Sequence, residues 1–146
     1  MNERLTPYQD RITELGMTAH EFISLASVVQ AESLFEEDYK TIAGVFYNRL
    51  ETGMPLQSDI TVLYALQEKR VDVTYADLEV DSAYNTYKYA GLPVGPVCTV
   101  QKSILDACAN YEKHDYYYFF ATKDGDVLYS KTLDEHNRTV QANLWY

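Results

Sequence analysis

The feature that most limits what this chain can fold into is the segment beginning at Thr18. Thr18 and Glu21 carry the T-x-x-E spacing of a capping box, in which each side chain satisfies an orphan backbone N–H at a helix start. Met17 and Phe22 flank the cap where a hydrophobic staple would sit. Phe22, Leu25, Ala26 and Val29 then recur at i, i+3, i+4 and i+7, so the spacing predicts an amphipathic helix reaching about Glu32. A single apolar stripe needs other elements to cover it.

The rest of the chain supplies them. A second helix is predicted to open in the acidic run Glu36, Glu37 and Asp38, whose carboxylates suit the positive end of a helix. Ile42, Val45, Phe46 and Leu50 form its stripe, and Gly53 followed by Pro55 ends it. A third helix is expected from about Ser58 to Gln67, with a short fourth opened by Thr74 and Asp77. Residues 81–98 gather turn-forming residues into a long structured loop, a kind of segment that carries function disproportionately. Thr99 is placed to cap a helix reaching Asn110. Tyr116 to Thr122 reads as a strand, Asp124-Gly125 as a hairpin turn, and Val127 to Ser130 as the return strand. Thr132 and Glu135 form a second capping box for a closing helix. The first fifteen residues show no clear periodicity, so 1–16 reads as a short lead-in to one domain over 17–146. The expected class is α+β, mostly helical with a small antiparallel β-hairpin.

Composition narrows the function classes. The 146 residues suit one domain, and 47% hydrophobic with 14% aromatic content is enough for a sizeable core. No run approaches the ~20 apolar residues of a membrane-spanning helix, and no signal-peptide pattern opens the chain. A net charge of −10 without a basic stripe argues against nucleic acid and anionic lipid as partners. It leaves neutral polymers such as polysaccharides open. The 14 tyrosines can line a sugar cleft or fill a core with their hydroxyls at its edge. Cys98 and Cys108 make no CxxC, and His20, His114 and His136 show no ligand spacing, so neither a zinc site nor a disulfide framework is expected. Cys108, at helical spacing from Ile104, reads as a buried thiol.

Glu32 is the first candidate for chemistry. On a helical projection it falls about 20° from Leu25, at the margin of the apolar stripe and in the last turn. Partial burial and the negative end of the helix dipole would both raise its pKa, which suits a general acid. The competing reading is a surface carboxylate that reaches solvent or pairs with Arg49. Gln30 lies about 200° around the helix from Glu32, so the two do not face one cleft. Asp59, within Gln57-Ser58-Asp59, is a second polar candidate, with helix capping by Ser58 or Asp59 as the alternative. Asn85 and Thr86, between Tyr84 and Tyr87, offer the amide, hydroxyl and aromatic groups that an N-acetylated sugar requires. They also fit an ordinary turn with its tyrosines packed inward. His136, with Asn137 in the first turn of the closing helix, reads as a histidine that orders neighbouring loops. No second carboxylate stands out.

Six motifs, in order, resemble one family. Leu25-Ala26-Ser27-Val28-Val29-Gln30-Ala31-Glu32-Ser33 is followed by Ile42-Ala43-Gly44-Val45-Phe46-Tyr47-Asn48-Arg49-Leu50 and by Gly53-Met54-Pro55-Leu56-Gln57-Ser58-Asp59. Tyr84-Asn85-Thr86-Tyr87, Gly91-Leu92-Pro93-Val94-Gly95-Pro96 and Glu135-His136-Asn137 complete the series. From about Met17 onward the chain resembles the catalytic domain of the YceG-like proteins, the MltG endolytic murein transglycosylases. The resemblance implies a lysozyme-like domain that cleaves the β-1,4 bond between N-acetylmuramic acid and N-acetylglucosamine within peptidoglycan strands. It implies 1,6-anhydromuramoyl ends and no metal or other cofactor.

The pair Glu32-Ser33 is similar to the Glu-Ser of soluble lytic transglycosylases and goose-type lysozymes, so the resemblance makes Glu32 the catalytic acid. It places Ser33, Gln57, Ser58, Asp59, Tyr84, Asn85, Thr86 and Tyr87 around the substrate. The chain departs from the family at Gln30, where many members have a glutamate. The family's usual membrane helix and LysM-like domain have no counterpart in these residues, so the chain reads as a catalytic fragment. The expected partners are peptidoglycan strands and, for a full-length protein, cell-wall synthases. The expected location is the cell envelope, at the outer face of the cytoplasmic membrane. A lysozyme-like muramidase and a non-catalytic peptidoglycan-binding domain are the rival readings.

Overall fold

A computed structural model of the chain describes residues 5–33, 35–67, 74–122 and 126–143. Among these are six α-helices and one two-stranded sheet. The expected α+β class, mostly helical with a small hairpin, is what forms. The helices are α1 (Gln9–Glu14), α2 (Ala19–Glu32), α3 (Tyr39–Thr52), α4 (Asp59–Leu66), α5 (Lys102–Ala109) and α6 (Leu133–Ala142). The strands are β1 (Tyr118–Ala121) and β2 (Val127–Ser130).

Helix α2 is the centre of the molecule. Thr18 caps it with both halves of the capping box formed, and Met17 packs against the core. Burial extends beyond one stripe: every residue from Phe22 to Val29 is buried, because α3, α4 and α5 all pack on this helix. Two serines fall in that stretch and are satisfied internally. The Ser24 hydroxyl donates to the His20 carbonyl at 2.8 Å and Ser27 to the Ser24 carbonyl at 2.7 Å. Ser27 Oγ also accepts the Val97 N–H at 3.0 Å, which ties the long loop to the helix.

Helix α3 follows a 3₁₀ turn at Glu36–Asp38 and ends at Gly53, whose φ of 76° is the left-handed cap that glycine accommodates. Gly44 admits a close crossing. A Cβ there would stand 2.3 Å from the Glu112 carbonyl oxygen, so the 112–116 segment lies directly on the helix. Asn48 Nδ2 secures that segment by donating to the carbonyls of His114 (2.8 Å) and Tyr116 (2.9 Å). β1 and β2 pair antiparallel with Tyr118 opposite Ser130 and Ala121 opposite Val127, and α6 packs on both. Phe119 meets the Phe46 ring edge-on at 5.9 Å, which seats the hairpin on α3.

Four expectations need correction. The opening segment is not a loose lead-in: a 3₁₀ turn at Thr6–Tyr8 runs into α1, and Leu5, Tyr8 and Ile12 belong to the core. Their spacing of three and four is helical, but three apolar residues among polar ones gave too short a pattern. Thr99 is not the cap of α5. Gln101 occupies that position, with its N–H held by the Gln30 carboxamide at 3.1 Å. The first strand starts at Tyr118 rather than Tyr116, since α3 side chains take the carbonyls of Tyr116 and Tyr117. The helix expected near Thr74 is a single 3₁₀ turn, Asp77–Glu79, with Thr74 and Asp77 capping each other. The Asp124-Gly125 turn lies outside the described residues.

If the opening segment is core, Leu5→Ala should destabilise the domain by about 2–5 kcal/mol. Urea unfolding checks this, and a change of only a few tenths would return the segment to the surface.

Candidate functional site

Helix α2 delivers Glu32, its last residue, to a cleft of about 810 Å³. The β-hairpin contributes Tyr118 and Phe119 to one side, and the start of α6 adds Leu133, His136 and Asn137. The opposite side is built from Gln57, Ser58, Asp59 and Tyr87, with Phe46, Arg49 and Leu56 beneath. Tyr75, 91% exposed, stands at the mouth.

Glu32 is half-buried, which excludes the reading of a freely solvated carboxylate. Removal from water pushes its pKa above the usual carboxylate range, and the negative Asp59 adds to the rise. The Ser58 hydroxyl, donating to Glu32 Oε1 at 2.7 Å, and the charge of Arg49 oppose it. Burial is the largest of these causes. The result is a carboxyl biased towards its neutral form but held by a donor that also favours the anion.

Ser58 settles its own alternatives. It occupies the capping position of α4, yet its side chain does not cap. The Thr61 N–H that it would have satisfied bonds to the Ser58 carbonyl at 3.2 Å, and the hydroxyl is spent on Glu32. The preceding Gln57 has φ 54°, a left-handed conformation that costs a non-glycine residue of order 1 kcal/mol. Asp59 is exposed and accepts a short hydrogen bond from the Tyr87 hydroxyl. Lining the cleft, it is the second carboxylate there beside Glu32.

The Tyr84-Asn85-Thr86-Tyr87 motif divides. Only Tyr87 lines the cleft. Asn85 is fully buried: its amide donates to the carbonyls of Leu78 and Val80, both at 2.8 Å, and its Oδ1 accepts the N–H groups of Tyr87 and Lys88. Thr86 is buried behind Ser58, and Tyr84 packs on Tyr64 with ring centroids 4.7 Å apart. Asn85 and Thr86 thus have no surface to offer a sugar. Ser33 ends α2 with its hydroxyl buried and unpaired among the described residues, and it does not line the cleft.

Arg49 emerges as the organiser of the site. It is 7% exposed, donates from Nε to the Tyr117 carbonyl at 2.7 Å and makes a short bond from Nη1 to the Leu56 carbonyl. Its guanidinium lies over Tyr118 at 5.3 Å and Phe46 at 5.9 Å. One side chain thus joins α3, the hairpin and the loop before α4. His136 stacks on Tyr118 at 5.2 Å, and burial and the nearby Arg49 charge lower its pKa. It belongs to the cleft wall rather than to loop packing alone. Its position four residues after Thr132, in the first turn of α6, was the available signal. Among the described residues no group of three His, Cys, Asp or Glu side chains is close enough to hold a metal ion.

The profile of the YceG-like family matches residues 1–142. The chain belongs to the YceG-like family. It is 42% identical to the endolytic murein transglycosylase of Bacillus subtilis (strain 168) over 143 residues, 98% of this chain and 40% of that protein. It is 39% identical to the endolytic murein transglycosylase of Streptococcus pneumoniae serotype 2 over 150 residues, 99% of this chain and 27% of that one. A crystal structure of a yceG-like protein from Listeria monocytogenes superposes with a TM-score of 0.88 at 48% identity, covering 94% of this chain and 45% of that one. The chain therefore spans less than half the length of these relatives. The family match also takes in the opening segment, in keeping with its place in the core. Gln30 accepts the Gln101 N–H and does not line the cleft.

The elevated Glu32 pKa has a consequence for stability. Between the unfolded value near 4.5 and the higher folded value, the native state binds more protons than the unfolded chain, so stability falls as pH rises. Glu32→Gln should remove that penalty. The unfolding free energy of the variant relative to the native chain should be larger at about pH 8 than at about pH 4, by about 1.4 kcal/mol per unit of elevation. A difference independent of pH would mean that the carboxyl is not desolvated.

Proposed function

We propose that this chain is the catalytic part of an endolytic peptidoglycan lytic transglycosylase, with Glu32 as its acid and base. The reading rests above all on one observation: a half-buried carboxyl at the end of the core helix, raised in pKa and hydrogen-bonded by Ser58, beside a cleft of polysaccharide dimensions. The names of the relatives and the family membership support it, as does the aromatic lining, since flat rings suit the apolar faces of sugars. A glutamate at the end of a buried helix facing a β-hairpin also supports the lysozyme-like reading of the fold.

In the proposed reaction the Glu32 proton passes to the glycosidic oxygen between N-acetylmuramic acid and N-acetylglucosamine. The bond from that oxygen to the muramoyl C1 breaks, releasing the N-acetylglucosamine hydroxyl. The muramoyl 6-hydroxyl bonds to C1, and the Glu32 carboxylate takes its proton, which regenerates the acid. No water is consumed, and the product ends in a 1,6-anhydro ring. Because the nucleophile is part of the same sugar, the attack gains from proximity and requires no second carboxylate as nucleophile. Tyr87, Gln57 and Asp59 would contact the strand, and the exposed Tyr75 ring would stack on a sugar. For a full-length protein, anchorage at the outer face of the cytoplasmic membrane and contact with cell-wall synthases belong to the same proposal. Among the described residues no helix is long and apolar enough to cross a membrane.

Asp59 in the cleft gives a hydrolytic rival a specific basis, because two carboxylates flanking a glycosidic bond are the usual equipment of a muramidase. Mass spectrometry of purified glycan strands after digestion separates the readings. Anhydro ends are expected. Reducing ends would establish hydrolysis, and intact strands would leave a binding domain.

Glu32→Gln should lower the rate of anhydro-end formation by at least about 10²-fold while leaving the circular dichroism spectrum unchanged. An active variant would remove Glu32 from the mechanism. Turnover should also fall as pH rises through the elevated Glu32 pKa, because the catalytic cycle starts from the protonated form. A rate flat from mildly acidic to alkaline pH would contradict that.

A further inference from the structure

Thr86 lies behind the cleft wall, 1% exposed, and takes no part in the steps above. Its hydroxyl closes a ring of hydrogen bonds with Thr61 and the backbone of Ser58. Ser58 N–H donates to Thr86 Oγ1 at 2.9 Å, and Thr61 Oγ1 stands 2.8 Å from Thr86 Oγ1 and 2.7 Å from the Ser58 carbonyl oxygen. The hydroxyl protons can be assigned by elimination. The Ser58 carbonyl has no proton, so Thr61 donates to it; Thr86 then donates to Thr61 Oγ1 and keeps a lone pair for Ser58 N–H. The 3.5 Å approach of Thr86 Oγ1 to the Ser58 carbonyl is the weaker alternative. Two buried threonines thus hold both the N–H and the C=O of Ser58.

That grip explains why Ser58 does not behave as a capping serine. An N-cap serine ordinarily turns its oxygen onto a backbone N–H of the helix it precedes. Here the Thr61 N–H is already bound to the Ser58 carbonyl, and Gln57, in its left-handed conformation, donates its N–H to the Thr86 carbonyl at 3.3 Å. The Ser58 Oγ is left to bridge to Glu32 Oε1 at 2.7 Å. With Oε1 occupied as an acceptor, Oε2 is the oxygen available to carry the acidic proton.

We propose that Thr86 is a positioning residue for Glu32: acting through Ser58, it fixes Oε1 as the anchored oxygen and leaves Oε2 to deliver and recover the proton. The proposal rests on the reading of Glu32 as the acid. Thr86 touches neither substrate nor reacting atoms. Without its hydroxyl the Ser58 N–H loses its acceptor, the serine is free to turn towards α4, and the Glu32 carboxyl can rotate. The bond from Ser58 also favours ionised Glu32, so its loss should raise the Glu32 pKa further.

The test compares Thr86→Val, Thr86→Ser, Ser58→Ala and the Ser58→Ala/Thr86→Val pair in two measurements. One is digestion of purified glycan strands across pH; the other is NMR titration of the ¹³C-labelled Glu32 side-chain carboxyl, which needs no turnover. Thr86→Val should lower the plateau kcat by on the order of tenfold or more with KM little changed, and should shift both the Glu32 titration and the alkaline limb of the rate profile to higher pH. Thr86→Ser, which keeps the hydroxyl, should restore both. The pair should be no worse than Ser58→Ala alone, since one residue acts through the other.

A Thr86→Val chain with native kcat and native Glu32 titration overturns the proposal, as do additive effects in the pair. Should Thr86→Val fail to fold, Ser58→Ala decides the matter, because it removes only the hydroxyl that touches Glu32; a native titration there overturns the proposal. An active Glu32→Gln chain would instead overturn the acid reading, and the proposal with it. The two failures are therefore separable.

Discussion

The burial of one carboxyl group at the end of the central helix organises most of what surrounds it. Helix α2 is enclosed along eight consecutive residues, Phe22 to Val29, so its axis and its end are fixed by packing on three other helices. A fourth helix, α1, also packs on it, and Glu32 inherits that rigidity. A carboxylate at the C-terminal end of a helix meets the negative pole of the dipole as well as a drier environment, and both disfavour its charge. A group in that position is costly for folding and useful for acid chemistry, and the serine that anchors it is held by residues that themselves never reach the cleft.

Arg49 is the counterweight. A buried guanidinium has to be satisfied, and here backbone carbonyls of Tyr117 and Leu56 do this while two aromatic rings cover its faces. The carbonyls belong to the hairpin approach and to the loop that leads into α4, so satisfying Arg49 also sets the distance between the two sides of the cleft. Its charge lowers the pKa of both Glu32 and His136. For Glu32 that limits the elevation caused by burial; for His136 it favours the neutral ring that stacks on Tyr118. One cation therefore tempers the acid and adds to the effect of burial in lowering the His136 pKa.

The parts of this fold that could be read from the chain were those written as local chemistry. The Thr18–Glu21 box, the Gly53 stop and the return strand from Val127 to Ser130 each determine backbone structure within a few residues, and each is present. The misreadings arise where tertiary contacts decide. Thr99 lost the helix cap because Gln30, distant in sequence, holds Gln101; Leu5, Tyr8 and Ile12 are too few to make a periodic signal yet fill a gap in the core. At the site, a helical projection was enough to put Glu32 on an apolar margin and Gln30 elsewhere. The roles of Asn85, Thr86 and Arg49 were beyond it. An amide and a hydroxyl beside tyrosines look the same in sequence whether they face a sugar or hold a loop together, and only burial separates the cases.

Asp59 shows how the same cleft can hold two carboxylates with different duties. Glu32 is half-dry and bonded by a neutral hydroxyl, whereas Asp59 is exposed and accepts a short hydrogen bond from the Tyr87 hydroxyl. Burial raises the pKa of the Tyr87 hydroxyl, and its hydrogen bond to Asp59 raises it further. The negative charge of Asp59 adds to the rise in the Glu32 pKa that burial begins. In a transglycosylase, where the nucleophile is a hydroxyl of the sugar itself, Asp59 need only supply a field and a contact. In a hydrolase it would also have to activate water through Oδ2, because Oδ1 already holds Tyr87.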